Sequence, residues 1–231
     1  MLVNEIIKPI ELSEGPNDPH IFKAVFLAGG PGSGKSYVAG KLLSGYGLKT
    51  VNSDDIYEYL AKKDNLDLSD PDQVYSDRGQ EVRNRAKDLT MSRQAMYIDG
   101  RLGLIIDGTG KDVAKVKKQS DLLKDIGYET VMLFVNTSED VAQQRNKMRP
   151  RRLPDSVVSK MWAQVQDNIM GFQQVVGNKN FYVVDNSGGL EDPERGKSFD
   201  EIYKDIRSWL NTPTRNRQAN AWMADQAKSD K

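Results

Sequence analysis

The sequence predicts an α/β fold in which a doubly wound, five-stranded parallel sheet carries helices on both faces. Two observations support this prediction. Short apolar runs alternate with segments of helical periodicity, and a glycine-rich turn joins the first apolar run to the first helical segment. The predicted strands are 23–29, 48–53, 102–108, 128–136 and 180–186. A chain of 231 residues is long enough for one domain with extensions.

Composition excludes several classes of protein. The chain has 33 basic and 33 acidic residues, so it has no overall charge to attract nucleic acid. It has no cysteine, which excludes disulfides, thiolate catalysis and cysteine-based zinc sites. No apolar run reaches the length of a membrane span, and acids occupy the N-terminal segment where a signal peptide has its basic and apolar regions. The sequence therefore predicts a cytoplasmic protein.

Polar segments divide the chain into a central domain and two extensions. We expect an N-terminal arm at 1–20, a domain at 21–211 and a mobile C-terminal tail at 212–231 that contains one helical turn. Within the domain, 54–100 is longer than a simple crossover and predicts a helical insertion. That insertion is interpreted either as a cap over an acceptor or as a surface hairpin without ligand contact.

Helical periodicity also predicts two core-facing helices after the third strand. Apolar residues from Val113 to Ile126 recur at 3.6-residue spacing. Pro154 opens a longer helix whose apolar stripe runs from Val157 to Val176.

The turn GGPGSGKS, residues 29–36, fits the phosphate-loop pattern G-x-x-x-x-G-K-[ST]. Glycines let backbone N–H groups approach a phosphate, and a helix that begins near Gly34 directs its positive dipole end at the same anion. This predicts a P-loop NTPase fold that binds ATP and Mg²⁺, with Lys35 on the outer phosphates and Ser36 on the metal. The alternative is a turn that only joins a strand to a helix. The predicted nucleotide-binding residues are Gly30, Pro31, Gly32, Ser33, Gly34, Lys35, Ser36 and Tyr37.

Acidic residues follow the second and third predicted strands, where ligands bind in open α/β sheets. Asp54 is the candidate general base for an attacking hydroxyl, and Asp55 is its alternative. Either acid of this pair also suits the N-cap of the next helix. Asp107 is expected to hold magnesium through water or to bind the acceptor, unless it only stabilises the turn at Gly108.

A basic segment, QQRNKMRPRRLP at 143–154, supplies a candidate lid. Helical spacing places Arg145 and Arg149 on one face, where guanidinium groups can stabilise a transferring phosphoryl group. The alternative is a solvated basic turn.

These motifs, over about 23–187, resemble the P-loop kinase clan of zeta toxins and polynucleotide 5′-kinases, and are more similar to the zeta toxins. The resemblance implies that Asp54 is the base, that Arg145 and Arg149 clamp phosphate, and that Asp107 and Thr109 contact the acceptor. Lys111 stands where zeta toxins carry an arginine, and we include it, with Asp55, among the acceptor-binding residues. Polynucleotide kinases carry an arginine that binds the acceptor's phosphate where this sequence has Tyr57. This difference favours a small-molecule acceptor over a nucleic acid.

The sequence thus predicts an ATP-dependent phosphotransferase that acts on a hydroxyl of a small-molecule acceptor, with a sugar nucleotide as one candidate and an antitoxin-type protein as a candidate partner. The first alternative is a polynucleotide 5′-hydroxyl kinase. The second is a nucleotide-dependent switch or binding module. A GTPase is disfavoured because NKNF at 178–181 lacks the aspartate of the guanine-reading N-K-x-D motif and precedes its strand.

Overall fold

A computed structural model describes residues 18, 20–108, 110–149, 152–188 and 193–229. Among these residues, five parallel strands form one sheet. The strands are β1 (Lys23–Ala28), β2 (Lys49–Val51), β3 (Leu104–Asp107), β4 (Glu129–Asn136) and β5 (Phe181–Asp185). They confirm all five predicted strands, and each is one to three residues shorter than predicted.

Helices connect these strands in the alternation that the sequence predicts. They are α1 (Lys35–Leu42), α2 (Ser53–Lys63), α3 (Pro71–Tyr75), α4 (Asp77–Asp99), α5 (Val113–Asp125), α6 (Glu139–Lys147), α7 (Asp155–Asp167), α8 (Ile169–Val176), α9 (Pro193–Asn211) and α10 (Arg217–Ser229).

The strand order β2-β3-β1-β4-β5 places β1 at the centre of the sheet. Alternate side chains of β1 enter two separate cores, so the strand is buried throughout and is apolar from Ala24 to Ala28. Phe26 packs in the core that contains Phe172 of α8, and Val25 packs in the core that contains Val38 of α1. Strands β2 and β3 lie on one side of β1, and β4 and β5 lie on the other. The strand order therefore reverses at β1, and ligands bind at the carboxyl end of such a strand in open α/β sheets.

Strand register brings the predicted acid of β3 to this same point. Leu27 of β1 pairs with Asp107 of β3 on one side and with Leu133 of β4 on the other. Val51, the last residue of β2, pairs with Ile106. The segments that follow β1, β2 and β3 therefore emerge side by side at one edge of the sheet.

The insertion at 54–100 folds as a helical unit of α2, α3 and α4 with a small core of its own. Ile56 and Leu60 of α2 pack with Val82 and Ala86 of α4. The far end of α4 returns to the sheet, where Tyr97 packs against the main core. Between α2 and α4 lies the short α3, which Pro71 opens.

The helix predicted after Pro154 is two helices, because the chain breaks at Asn168 between α7 and α8. The Asn168 side-chain amide donates a hydrogen bond to the Gly110 carbonyl at 2.9 Å, which anchors the break to the turn after β3. Val158 is buried in α7, whereas the predicted core residue Val157 is 38% exposed.

The C-terminal segment differs from the predicted mobile tail with a single turn. Residues 217–229 form α10, in which Ala219 is buried. The ring of Trp222 packs edge-on against Phe22, with 5.5 Å between ring centroids. The apolar face of α10 therefore belongs to the core, although its polar composition concealed this in the sequence.

The remaining predictions concern the N-terminal arm and membrane spans. Most of the predicted N-terminal arm at 1–20, namely residues 1–17 and 19, lies outside the described residues. No helix in the described part of the chain has the length and apolar character needed to cross a membrane.

Replacing Trp222 tests the packing of α10. We expect Trp222→Ala to lower the free energy of unfolding by about 2 kcal/mol, since the variant loses a large ring contact to a buried phenylalanine. Urea denaturation measures this change. Lys228→Ala on the same helix is the control and should change stability by less than about 0.5 kcal/mol. Equal stability of the wild type and Trp222→Ala would show that α10 does not pack as described.

Candidate functional site

The glycine-rich turn between β1 and α1 has a backbone that only glycine tolerates at two points. Gly32 and Gly34 have φ angles of 74° and 86°, in the left-handed region. A β-carbon at Gly32 would lie 2.5 Å from the Ala142 carbonyl oxygen, and one at Gly34 would overlap the Asn186 side chain. Helix α1 begins at Lys35, as predicted, without a side-chain cap, so its first N–H groups are available to an anion.

Side chains from two other elements bind the carbonyl groups of this loop. Arg145 Nη1 donates to the oxygens of Gly32 and Ser33 at 3.3 and 3.4 Å, and Asn186 Nδ2 donates to Ser33 O at 2.6 Å. Lys35 Nζ donates to Gly29 O at 2.9 Å. The carbonyl oxygens of Gly29, Gly32 and Ser33 therefore accept hydrogen bonds from protein donors. The backbone N–H groups of the loop and Lys35 are the groups that can bind phosphate.

The ammonium group of Lys35 is the electrostatic centre of the site. Burial lowers the pKa of Lys35, the charges of Asp107 and Asp54 raise that pKa, and Arg149 lowers it further. Three residues predicted from separate motifs, Asp107, Arg149 and Asp54, thus lie close enough to this ammonium group to influence its pKa.

The acids after β2 are arranged by a residue that the sequence analysis missed. Asn52 is the N-cap of α2, and its Oδ1 accepts a hydrogen bond from the Asp54 N–H at 2.8 Å. Its Nδ2 donates to Asp55 Oδ1 and to Asp107 Oδ2, each at 3.1 Å. Neither acid of the pair is the cap, which corrects that interpretation. A preference for asparagine at N-caps was the signal that could have identified Asn52.

Burial raises the pKa of Asp107 above its ordinary value; Lys35 lowers that pKa, and the charges of Asp55 and Asp54 raise it. Burial and the neighbouring Asp54 also raise the pKa of Asp55. Like charges thus meet at the ends of β2 and β3, and Lys35 partly offsets their repulsion.

A small cavity opens beside these acids. Its volume is about 40 Å³, and it lies between the end of β2, the start of α2 and one face of α4. Thr90, Arg93, Gln94 and Tyr97 line it at helical spacing, opposite Asn52 and Asp55. The insertion at 54–100 therefore contributes side chains beside the candidate acids.

The two predicted lid arginines do not share a helical face. Helix α6 ends at Lys147, and Arg149 lies in the following turn, where its N–H donates to Asn146 O at 3.2 Å. The helix ends here because Pro150 disfavours a helical residue before it. Arg145 is half-buried against the loop, whereas Arg149 is exposed.

The other predicted site residues lie around the same edge of the sheet. Ser36 is exposed in the first turn of α1. The Tyr37 ring packs edge-on against Phe199 of α9, with 6.3 Å between centroids. Lys111 is partly buried, and its carbonyl accepts a hydrogen bond from Gln164 at 3.2 Å. Thr109 lies outside the described residues.

A family model described as "AAA domain" (AAA_33) matches residues 25–169, which include the loop, the acids and both arginines. The chain belongs to this family. Together with the parallel sheet, the match confirms the predicted α/β P-loop NTPase fold with helices on both faces.

Proteins with similar sequences include adenylate kinases. The chain is 30% identical over 122 residues to the adenylate kinase of Thermotoga petrophila, an alignment that spans 52% of this chain and 55% of the relative. It is 22% identical over 212 residues to that of Bacillus pumilus, across 80% of this chain and 96% of the relative. The chain thus spans little more than half the length of the first of these relatives.

Solved structures with the same fold include components of toxin–antitoxin and RNA repair systems. A chain from the PezAT toxin–antitoxin system of Streptococcus pneumoniae matches with a TM-score of 0.55 and 15% identity, over 85% of this chain and 91% of that one. A chain of the AvrRxo1-ORF1:AvrRxo1-ORF2 complex matches with a TM-score of 0.57 and 12% identity, over 91% and 85%. A chain of the Pnkp1/Rnl/Hen1 RNA repair complex matches with a TM-score of 0.51 and 19% identity, over 68% and 48%. At these identities the likeness shows a shared P-loop kinase fold.

Alanine substitutions at two glycines should have opposite effects on stability. Gly34→Ala should lower the free energy of unfolding by at least about 1–2 kcal/mol, because it places a β-carbon in the left-handed region and against Asn186. Gly40→Ala, within α1 and with open space around it, should raise that free energy by about 0.5–1 kcal/mol. Urea denaturation of both variants tests the loop geometry, and destabilisation at Gly40 alone would contradict it.

The raised pKa of Asp107 predicts a pH-dependent stability cost. An acid whose pKa is higher in the folded state binds its proton more tightly there, so unfolding becomes easier as pH rises from the ordinary aspartate value through the raised value. Asp107→Asn should therefore be more stable than the wild type at neutral pH, and the gain should shrink as pH falls towards about 4. Urea denaturation between about pH 8 and about pH 4 measures it.

The control for this experiment is Asp121→Asn, which alters an exposed ion pair with Lys117 on α5. It should change stability by less than about 0.5 kcal/mol across that range. An Asp107→Asn variant that is less stable than the wild type at neutral pH would contradict the prediction.

Proposed function

We propose that the protein is an ATP-dependent kinase that transfers the γ-phosphate to a hydroxyl of a small-molecule acceptor. The observation that carries the proposal is the position of Lys35, which is partly buried and donates a hydrogen bond to the Gly29 carbonyl of the phosphate loop, with Asp107, Arg149 and Asp54 near enough to influence its pKa. A binding module needs the loop, but it does not need carboxylates and a cation placed around the outer phosphates.

In this reaction the acceptor oxygen bonds to the γ-phosphorus while the bond from that phosphorus to the β–γ bridging oxygen breaks. ADP leaves, and Asp54 takes the hydroxyl proton. We assign Asp54 rather than Asp55 because, of the two, Asp54 is the acid whose charge raises the pKa of Lys35, which supports a position on the phosphate side of the pair. Asp55 is held by Asn52 and lines the cavity, which suits a residue that binds the acceptor.

ATP would lie along residues Gly30 to Tyr37, with loop N–H groups and Lys35 on its phosphates. The exposed Ser36 hydroxyl and the Asp107 carboxylate are oxygen donors of the kind that Mg²⁺ prefers, so the site fits that ion. Mg²⁺ held there would supply positive charge that offsets the negative charge developing during transfer.

The arginines have separate roles in this proposal. Arg149 is exposed and acts electrostatically on Lys35, so it is placed to stabilise the transferring phosphoryl group. Arg145 clamps phosphate indirectly, because its guanidinium group supports the carbonyls of the loop that carries the phosphates.

The acceptor would enter between the insertion at 54–100 and the ends of β2 and β3. The cavity beside Asp55 supports the interpretation of the insertion as a cap within the proposed domain 21–211. Thr109 and Lys111, which follow β3, are proposed as further acceptor contacts. The resemblance of the sequence motifs to the zeta toxins favours a sugar nucleotide as the acceptor. Structural likeness to a chain of the PezAT toxin–antitoxin system supports an antitoxin-type partner.

A second candidate is transfer to a phosphate rather than a hydroxyl. The curated relatives are adenylate kinases, whose name gives adenylate as the acceptor, and the aligned segment reaches 30% identity. A third candidate, a polynucleotide 5′-hydroxyl, is supported by likeness to a chain of an RNA repair complex.

A transfer assay with γ-labelled ATP and Mg²⁺ separates these candidates. UDP-N-acetylglucosamine, a 5′-hydroxyl oligonucleotide and AMP are offered in parallel, beside a reaction without acceptor. We expect label on a hydroxyl acceptor, and we expect Lys35→Ala and Asp54→Asn each to lower the rate by about 100-fold or more, since they remove a phosphate contact and the general base.

Matched controls are Lys117→Ala and Asp121→Asn, which alter the exposed pair on α5 and should retain the wild-type rate. Asp55→Asn should mainly raise the KM for the acceptor. Label on AMP alone would replace the hydroxyl acceptor with adenylate. Binding of ATP without transfer to any acceptor would favour the nucleotide-dependent switch or binding module.

A further inference from the structure

We infer that Asn186 is a positioning residue that holds the phosphate loop in the conformation that receives a nucleotide. The residue directly follows β5 and is 2% exposed. This inference rests on the proposed binding of ATP at the loop, but it does not depend on which acceptor the protein uses.

The backbone of Asn186 is anchored to the central sheet and to α6. Its N–H donates to the Asn136 carbonyl at 2.8 Å, which extends the pairing of β5 with β4 by one residue. Its carbonyl accepts hydrogen bonds from Arg145 Nη2 at 2.9 Å and from Thr137 Oγ1 at 3.4 Å. The side chain therefore projects towards the loop from a rigid base.

The Asn186 side chain binds the loop at one carbonyl. Its Nδ2 donates to Ser33 O at 2.6 Å, across a sequence separation of 153 residues. Arg145 Nη1 approaches the same oxygen at 3.4 Å. A buried carbonyl without a donor is unfavourable, so this contact stabilises the conformation in which Ser33 O points at β5.

Peptide planarity transmits this contact to the phosphate side of the loop. The carbonyl of Ser33 and the N–H of Gly34 belong to one planar trans peptide, in which the two groups point in opposite directions. When Asn186 holds Ser33 O towards β5, the Gly34 N–H points away from β5. Asn186 thus orients a backbone donor at the start of α1 without contacting the ligand.

Gly34, which follows Ser33, leaves room for the Asn186 side chain. A β-carbon at Gly34 would overlap Asn186 Nδ2, so the asparagine occupies space that any other residue at position 34 would fill. The contact needs a side-chain donor, and the asparagine amide supplies one. An ionised aspartate, such as the preceding Asp185, only accepts hydrogen bonds.

Substitution of Asn186 tests the inference through nucleotide affinity. Asn186→Asp keeps the shape but replaces the donor with a carboxylate beside Ser33 O, and Asn186→Ala removes the contact. We expect the Kd for ATP, measured by titration calorimetry, to rise about 10-fold in Asn186→Ala and further in Asn186→Asp. In the transfer assay the KM for ATP should rise more than kcat falls, and the KM for the acceptor should not change.

The matched control is Ser187→Ala. Ser187 Oγ accepts a hydrogen bond from the Ser138 N–H at 2.8 Å, so it ties the same strand end to α6 without contacting the loop. We expect Ser187→Ala to bind ATP with the affinity of the wild type. An equal loss of ATP affinity in this control would show that any loosening of the strand end has the same effect, and would overturn the specific role of Asn186.

A measurement on the wild type keeps the inference testable if an Asn186 variant does not fold. The side-chain N–H₂ protons of Asn186 should exchange with solvent more slowly than those of the exposed Asn220, as followed by NMR. Rapid exchange at Asn186, or a folded Asn186→Ala variant that binds ATP within about twofold of the wild type, would overturn the inference. Failure of the wild type to bind ATP would overturn the proposed function as well, so the two failures are distinguishable.

Discussion

The site depends on how the carbonyl groups of the phosphate loop are hydrogen-bonded. A loop that presents N–H groups to an anion must turn carbonyls the other way, and buried carbonyls need donors. Arg145 from α6 and Asn186 after β5 supply those donors to Gly32 and Ser33. The central strand β1 is buried on both faces and fixes where the loop begins. The loop is therefore supported by the sheet at one side and by two long-range side chains at the other.

The charged side chains at this edge of the sheet lie around the ammonium group of Lys35. Burial disfavours the charged form of Lys35, and the charges of Asp107 and Asp54 favour it. Asn52 caps α2 and donates hydrogen bonds to Asp55 and Asp107. One short side chain therefore arranges an acid of α2 and an acid of β3. Such an arrangement costs stability and suits a site in which a proton and a phosphoryl group move.

Much of the fold was predictable because its signals are local. The five strands are short apolar runs between turns, and the loop has its glycines, lysine and serine at set spacing. Predictions that needed distant contacts were less accurate. The tail appeared mobile because α10 is polar over most of its surface and buries only a narrow face. Arg149 was placed on a helix because spacing alone does not show where α6 ends before Pro150.

The sequence by itself determined the sheet, the phosphate loop and the approximate position of the acids, because each follows from residues within a few positions of one another. Only the tertiary structure decided which side chains support the loop and that Asn52 joins Asp55 to Asp107. Arg145 and Gly32 are 113 residues apart, and Asn186 and Ser33 are 153 residues apart. Contacts at such separations leave no periodicity in the chain, because they exist only once the strands have paired and brought their carboxyl ends to one edge.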